Sequence, residues 1–593
     1  MSAPIGMGTS FARRRGMNRR MPVRLCAILL VTCLALAAAS AAPSPKELWS
    51  SYDDRRGDLK EEVVDDSVRE GIRKRKSYIS AYINGEEVRV YCEYSVKVGV
   101  EKAPGLLMVH GWMGAPSIDA GYVKDGWAVM AHDYCGKTGD RVHHTKYPPR
   151  LAHGNMDGKA GERVITTVPG GADITDPTQS SDYLWYAIQR RVLSYLERQP
   201  EVDRGRIGAI GYSYGGTLMW NLAIDERVRA VAAYFGIGYN VYYRDKRVWM
   251  YDPGATIPPK SSGEAVFLES LAPEAHVPFI KAATLFLNGS NDHHGGHERG
   301  LESFKHFPPG VPWSFAIQAR GHHNTERIGQ DTKLWLERHV LGREVFWPEQ
   351  PASQIRLDAQ GVPELVVTPA SSERVATVEC YLAQKSPISF ARAWRDVNVL
   401  REGNRWVAKL PVLNVDDYVF GYANVTYDNT VVRSTGFNAV VPSTLGAAVA
   451  TDKPSTELGS GEGWSEVAEA EGVRGIRGFR CLNVHRGSRT EKLNDPKWKA
   501  PAGKDLSFRF YCTEPQSIQL AAAQQYVVPL EITASDDWQE MVISAERLVH
   551  GISGQRLKDW SEVGSLEIKP VKGTDLTRVV FADFRWIDRK SAH

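Results

Sequence analysis

Ser213 stands in Gly211-Tyr-Ser-Tyr-Gly215, between the apolar run RIGAIGY and the helix-like run GTLMWNLAID. A strand that turns straight into a helix through Gly-x-Ser-x-Gly lifts the serine hydroxyl to the carboxyl edge of a sheet, where it can act as a nucleophile. The competing reading is a glycine-rich corner without chemistry. A serine hydroxyl needs a base within hydrogen-bond reach, and the base needs an acceptor that orients it. Two later apolar runs end on such residues: LFLNGSND closes on Asp292, and AIQARGHH closes on His322 and His323. Both fall where strands end, in the order serine, acid, histidine. The expected triad is therefore Ser213, Asp292 and His322. His322 is preferred because it follows the strand and Gly321 directly; His323 is the alternative.

An acyl-transfer site also needs two N–H donors for the developing oxyanion. Tyr214, next after the nucleophile, offers one. The run GLLMVHGW ends a strand at His110-Gly111, which makes the Trp112 N–H the expected second donor, with His110 otherwise a strand-end residue that packs. The stretch DHHGGH places Asp292, His293, His294 and His297 together, a set that could hold zinc. No ligand spacing of a known zinc class appears, so no metal and no cofactor are expected. The histidines are read as lining the pocket mouth or starting the next helix.

These residues need a scaffold that brings strand ends to one edge. From Gly105 to about 342, continuous apolar strands alternate with amphipathic helices such as SDYLWYAIQRRVLSYLERQP, the pattern of an α/β domain with a mostly parallel, doubly wound sheet. Two stretches lack periodicity, 136–179 and 240–278, and are expected to wall or cover the site. After Pro348 the strands become short and alternating (RVATVECYLA, YVFGYANVTY), which predicts a β-sandwich at 349–446. Beyond the linker-like TDKPSTELGSGEG, a second all-β domain at 447–593 is expected to be jelly-roll-like. It carries Trp464, Trp498, Trp538, Trp560 and Trp586, which either fill its core or offer faces for sugar rings.

His110-Gly111, the GYSYGG of 211–216, the GSND of 289–292 and the GHH of 321–323 resemble the α/β-hydrolases of the dienelactone hydrolase and acetylxylan esterase branch, over roughly residues 78–345. The resemblance implies an α/β-hydrolase fold for 43–348 and supports the roles given to Ser213, Asp292 and His322. The GxSxGG form is also similar to the prolyl-oligopeptidase family, although only about 60 residues lie ahead of the first core strand, too few for that family's β-propeller. The cocaine esterase and Xaa-Pro dipeptidyl peptidase group, with its jelly roll after the hydrolase domain, is a third relative; the sandwich in between departs from it.

Six arginines between residues 13 and 24 precede LCAILLVTCLALAAA and SAAPSP, the pattern of a secretory signal over residues 1–42. That apolar core is short for a permanent anchor, and a lipoprotein reading through Cys33 is disfavoured by the preceding Thr32. The protein is thus expected to be exported, periplasmic or extracellular, with no stable membrane anchor after cleavage. A net charge of +3 on 593 residues excludes a strongly basic nucleic-acid binder. Cys92, Cys135, Cys380, Cys481 and Cys512 remain after the signal; Cys481 could pair with Cys512, or all five could be buried thiols. The function expected is a serine esterase acting on a small ester or acylated polysaccharide. A serine peptidase is the runner-up, disfavoured because no acidic cluster suited to a free peptide amino terminus is seen.

Overall fold

The structure is a computed structural model and describes residues 42–156, 163–242 and 261–589, apart from 387, 483, 485, 486 and 524. The segment read as an export signal lies outside it, save for residue 42, and so does most of the aromatic, basic stretch at 240–254.

Nine strands build the first domain: β1 Glu62–Arg69, β2 Ile72–Ile83, β3 Glu86–Lys97, β4 Ala103–Val109, β5 Ala128–His132, β6 Val202–Tyr212, β7 Val228–Tyr234, β8 Ala283–Gly289 and β9 Trp313–Gln318. They form one sheet in the order β1-β2-β3-β5-β4-β6-β7-β8-β9. The run from β5 through β9 is parallel. The N-terminal edge, β1 through β3 onto β5, is antiparallel. Successive residues of β4 show why its sequence is uninterruptedly apolar. Leu107 and Val109 enter the core on one face, Leu106 and Met108 the core on the other. A strand covered by helices on both sides has no solvent face to mark with polar residues.

The antiparallel edge was not anticipated, yet its turns carry a signal. Glu70-Gly71 and Asn84-Gly85 all have positive φ, between 51° and 80°, the conformation of a tight two-residue hairpin turn. Among the helices, Ser181–Glu197 is buried along nearly its whole length, and Tyr214–Leu222 follows β6 directly. All strand carboxyl ends of the parallel part meet at one edge.

Two all-antiparallel units follow. Strands between Ala352 and Val440 form a four-stranded and a five-stranded sheet around a core of their own. Strands between Glu457 and Asp588 form a six-stranded and a five-stranded sheet around another. In that last core Trp464, Trp560 and Trp586 are buried, while Trp498 and Trp538 are only half-buried. Most of these tryptophans therefore hold their own domain together. Cys481 and Cys512 do not pair: both are free, buried thiols, as are Cys92, Cys135 and Cys380. Among the described residues no helix is long and apolar enough to cross a membrane.

Candidate active site

β6 ends at Tyr212, and Ser213 takes φ 57° and ψ −118° before the helix begins at Tyr214. A non-glycine residue held there costs on the order of 1–3 kcal/mol and persists only where its surroundings over-determine it. Those surroundings are backbone. The Ser213 N–H donates to the carbonyl of Tyr234 at the end of β7 (2.8 Å), and the Ser213 carbonyl accepts from Thr217 (3.1 Å). A Cβ at Gly215 would stand 2.4 Å from the Val109 carbonyl, and one at Gly211 would stand 2.1 Å from that of Gly215. Only glycine lets the strand, the turn and the neighbouring end of β4 come this close.

Asp292 follows β8 and is buried. One carboxylate oxygen accepts from the His294 and Gly295 amides (2.9 and 2.5 Å), and the other accepts from Nδ1 of His323 (2.5 Å). The histidine on Asp292 is thus His323, not the expected His322. After β9 the chain passes through Arg320 at φ 57°, with the Arg320 N–H on Ser290 Oγ (2.8 Å), and the Gly321 carbonyl accepts from the Asn291 N–H (2.9 Å). In this loop His323 faces Asp292, and His322 lies on the side where Arg489 is. Burial, with Arg489 second, lowers His322 to about 4. With Nδ1 engaged by Asp292, His323 keeps Nε2 for a second partner, and its ring packs on Phe235 at 4.3 Å.

The four residues of DHHGGH separate. Donor atoms of Asp292, His293 and His323 lie within 4.8 Å of one another, so a cation there would compete with the carboxylate–imidazole bond. His294 Nδ1 sits instead on the Phe235 carbonyl (2.9 Å), and burial lowers its pKa to about 4. His297 is turned away into aromatic packing, 5.1 Å from Phe437.

Trp112 lies in a turn closed by the Gly114 N–H on the Gly111 carbonyl (3.1 Å), with Met113 at φ 54°. A Cβ on Gly111 would lie 3.0 Å from Cβ of Ser213, so this turn abuts the serine. Behind it, the His110 ring stacks on Tyr134 at 4.5 Å, bonds the Gly111 carbonyl through Nδ1, and has Nε2 3.5 Å from Asp133. Burial pushes the Asp133 carboxyl up, but His110, Arg141 and the Thr145 amide outweigh it and hold it below its usual value.

One residue beside the site carried no sequence signal. Arg163 belongs to the irregular stretch 136–179, of which 157–162 lie outside the described residues. Its guanidinium lies 5.0 Å from the Trp112 ring, 5.1 Å from Trp185 and 4.6 Å from Tyr214. It also bonds the Tyr214 hydroxyl and the Asp182 carboxylate. No periodicity or motif points to it, because only the folded loop brings it there.

A strained serine at a strand–helix turn, with a carboxylate–histidine pair on the same edge of a mostly parallel sheet, defines the class: the first domain is an α/β-hydrolase. Residues 88–304 match the family model of the dienelactone hydrolase family. No curated protein matches the chain. Among solved structures, the acetyl xylan esterase from Paenibacillus sp. R4 is 18% identical with a TM-score of 0.39, over 50% of this chain and 92% of that one. Acetyl xylan esterase 1 from Thermoanaerobacterium sp. JW/SL YS485 is 18% identical with a TM-score of 0.36, over 54% and 98%. The Pyrococcus horikoshii acylaminoacyl peptidase is 15% identical with a TM-score of 0.32, over 49% and 51%. Likenesses at this level bear on neither substrate nor mechanism.

Proposed function

We propose that the chain is an exported serine carboxylesterase that removes an acyl group from a carbohydrate. The observation that carries the serine mechanism is the bond between Asp292 and Nδ1 of His323 on the same sheet edge as the strained Ser213. Asp292 holds the imidazole in the tautomer with its proton on Nδ1 and stabilises the imidazolium that forms. Nε2 of His323 takes the Ser213 proton as Oγ attacks the ester carbonyl. The tetrahedral oxyanion is received by the Tyr214 N–H, at the first turn of its helix, and the Trp112 N–H. The imidazolium returns its proton to the leaving sugar hydroxyl, and the C–O bond breaks to give the acyl-enzyme. Water, deprotonated by the same His323, then releases the acid. Export rests on the arginine-rich start and the apolar run that follows it. The carbohydrate assignment rests on export together with two trailing β-domains.

The test has two arms. Labelling with an active-site-directed fluorophosphonate, read by mass spectrometry of the peptide, should modify Ser213. Turnover should be measured on p-nitrophenyl acetate and acetylated xylan against prolyl anilides. Labelling with ester turnover supports the reading; labelling with anilide turnover alone turns the function to a peptidase, and absence of labelling removes Ser213 from the mechanism.

A further inference from the structure

His110, Asp133 and Cys135 gather just past the ends of β4 and β5, apart from the Asp292–His323 pair. All three are buried, and one donor atom from each lies within 4.8 Å of the others. A carbonyl oxygen can only accept, so the 2.7 Å contact of His110 Nδ1 with the Gly111 carbonyl places a ring proton on Nδ1. In the neutral ring that leaves a lone pair on Nε2, which among the described residues has no hydrogen-bond partner. Nε2 lies 3.5 Å from Oδ1 of Asp133, so two acceptors face each other out of reach of water. Such a pair needs a positive charge between its members. A proton would draw them to about 2.7–2.9 Å. The rest of Oδ1's surroundings is equally loose. The Cys135 amide is at 3.3 Å, Cys135 Sγ at 3.5 Å and Arg141 Nη2 at 3.4 Å, whereas Oδ2 accepts from the Thr145 amide at 2.6 Å.

Separations too long for hydrogen bonds are the separations of ligands on one small metal ion. Zinc bonds of about 2.0–2.3 Å to nitrogen, oxygen and sulfur set tetrahedral neighbours about 3.3–3.8 Å apart. With two edges of 3.5 Å and a third of at most 4.8 Å, the point equidistant from Nε2, Oδ1 and Sγ lies no more than about 2.4 Å from each. One sulfur, one imidazole nitrogen and one carboxylate oxygen suit a borderline-soft ion and are the wrong set for calcium or magnesium, which take oxygen. The Gly114 carbonyl, 3.9 Å from Sγ, is a candidate for the fourth position. Arg141 does not take the ion's place: its short bonds, 2.7 Å each, go to the Gly136 carbonyl and the Thr138 hydroxyl. Burial alone holds the Cys135 thiol well above its usual range, and the charge of a coordinating ion reverses that preference.

We propose that His110, Asp133 and Cys135 form a structural zinc site that clips the ends of β4 and β5 together behind the turn that abuts Ser213. Zinc binds as the Cys135 thiol gives up its proton, so sulfur enters the site as thiolate. Full-length protein is produced with zinc in the medium, dialysed against EDTA to strip loosely held metal, and assayed by mass spectrometry of the elements. A second batch, produced with cobalt in place of zinc, is read by absorption. About one zinc per chain is expected, and the cobalt protein should show a thiolate-to-metal charge-transfer band. Cys135→Ser and His110→Gln should each lower the zinc content below about a tenth of that. His293→Ala, at the exposed member of the cluster around Asp292, should leave it unchanged. The cobalt spectrum needs no variant, so the test stands even if the buried substitutions fail to fold. Zinc-free protein, cobalt held without the thiolate band, zinc kept by the Cys135→Ser protein, or zinc lost from the His293→Ala protein would each overturn the proposal.

Discussion

Ser213 and the Asp292–His323 pair occupy the same sheet edge but are held there in different ways. Ser213 is held by its own domain: the Tyr234 and Thr217 backbone bonds, and glycines that let β4 and β6 close around it. Asp292 and His323 are braced from outside. The Asn291 side chain donates to the carbonyls of Phe390 and Arg392 in the second domain, at 2.7 and 2.8 Å. Arg320, which sets the register of the histidine loop, reaches Asp396 of that domain. A site half intrinsic and half braced ties the second domain to the loops that carry Asp292 and His323.

The largest effects should come from the residues proposed to react. Ser213→Ala and His323→Ala are each expected to cost several orders of magnitude in kcat, and the double variant should be little worse than either, because members of a triad act as a unit. His322→Ala should keep most of the turnover of a small ester. Steady-state rates on p-nitrophenyl acetate check all four, and a dead His322→Ala with an active His323→Ala would reverse the assignment of the base.

Next comes the intrinsic half. Gly215→Ala forces a Cβ to within 2.4 Å of the Val109 carbonyl. Activity should fall at least 100-fold with a lowered melting temperature, since β4 and the elbow must move apart to admit it. Full activity in this variant would mean that the close approach of β4 and the serine turn is dispensable.

The braced half should yield more gently. Asn291→Ala leaves two second-domain carbonyls without their donor, at a cost of about 2 kcal/mol in stability. We expect kcat to drop roughly tenfold with KM little changed, because the loop carrying Asp292 loosens while the serine turn stays in place. Denaturant unfolding and steady-state kinetics on the full chain separate the two effects; an unchanged kcat would show that the brace serves stability alone.

The smallest effect lies at the same domain border. Asp331 accepts from the Val432 amide at 3.1 Å, and burial raises its carboxyl to about 7. The folded protein therefore keeps a proton that the unfolded chain gives up near pH 4. This contribution to stability is present below that pH and is lost as pH rises to about 7. Asp331→Asn should flatten that slope in melting temperature. An equal slope in both proteins would assign the pH dependence to other groups.

How much of this was legible beforehand follows from the range of the interactions. The serine turn could be read because its constraints are local: strand, glycine, serine, glycine, helix, all within a dozen residues. The α/β character followed from apolar runs long enough to need cover on both faces. The hairpin β1–β3 was missed although Asn84-Gly85 marks its turn, because its strands are rich in charge where the sheet edge meets water. Arg163 gave no sign at all.

By itself the sequence determined the α/β architecture, the strand–serine–helix turn and the strand ends that carry Asp292 and the two histidines, since periodicity and turn residues act over one or two elements. Which of two adjacent histidines meets the carboxylate was decided by the tertiary structure alone. Arg320, left-handed and held by Ser290 and by Asp396 of another domain, precedes the loop that brings His323 rather than His322 to Asp292. Beyond Gln318 the chain is no longer a strand, so no local periodicity fixes which way a side chain points and contacts distant in sequence decide it. The same holds for the tryptophans of the last domain: composition marks them as able to meet a sugar, and only packing sends Trp464, Trp560 and Trp586 inward while leaving Trp498 at a pocket's wall.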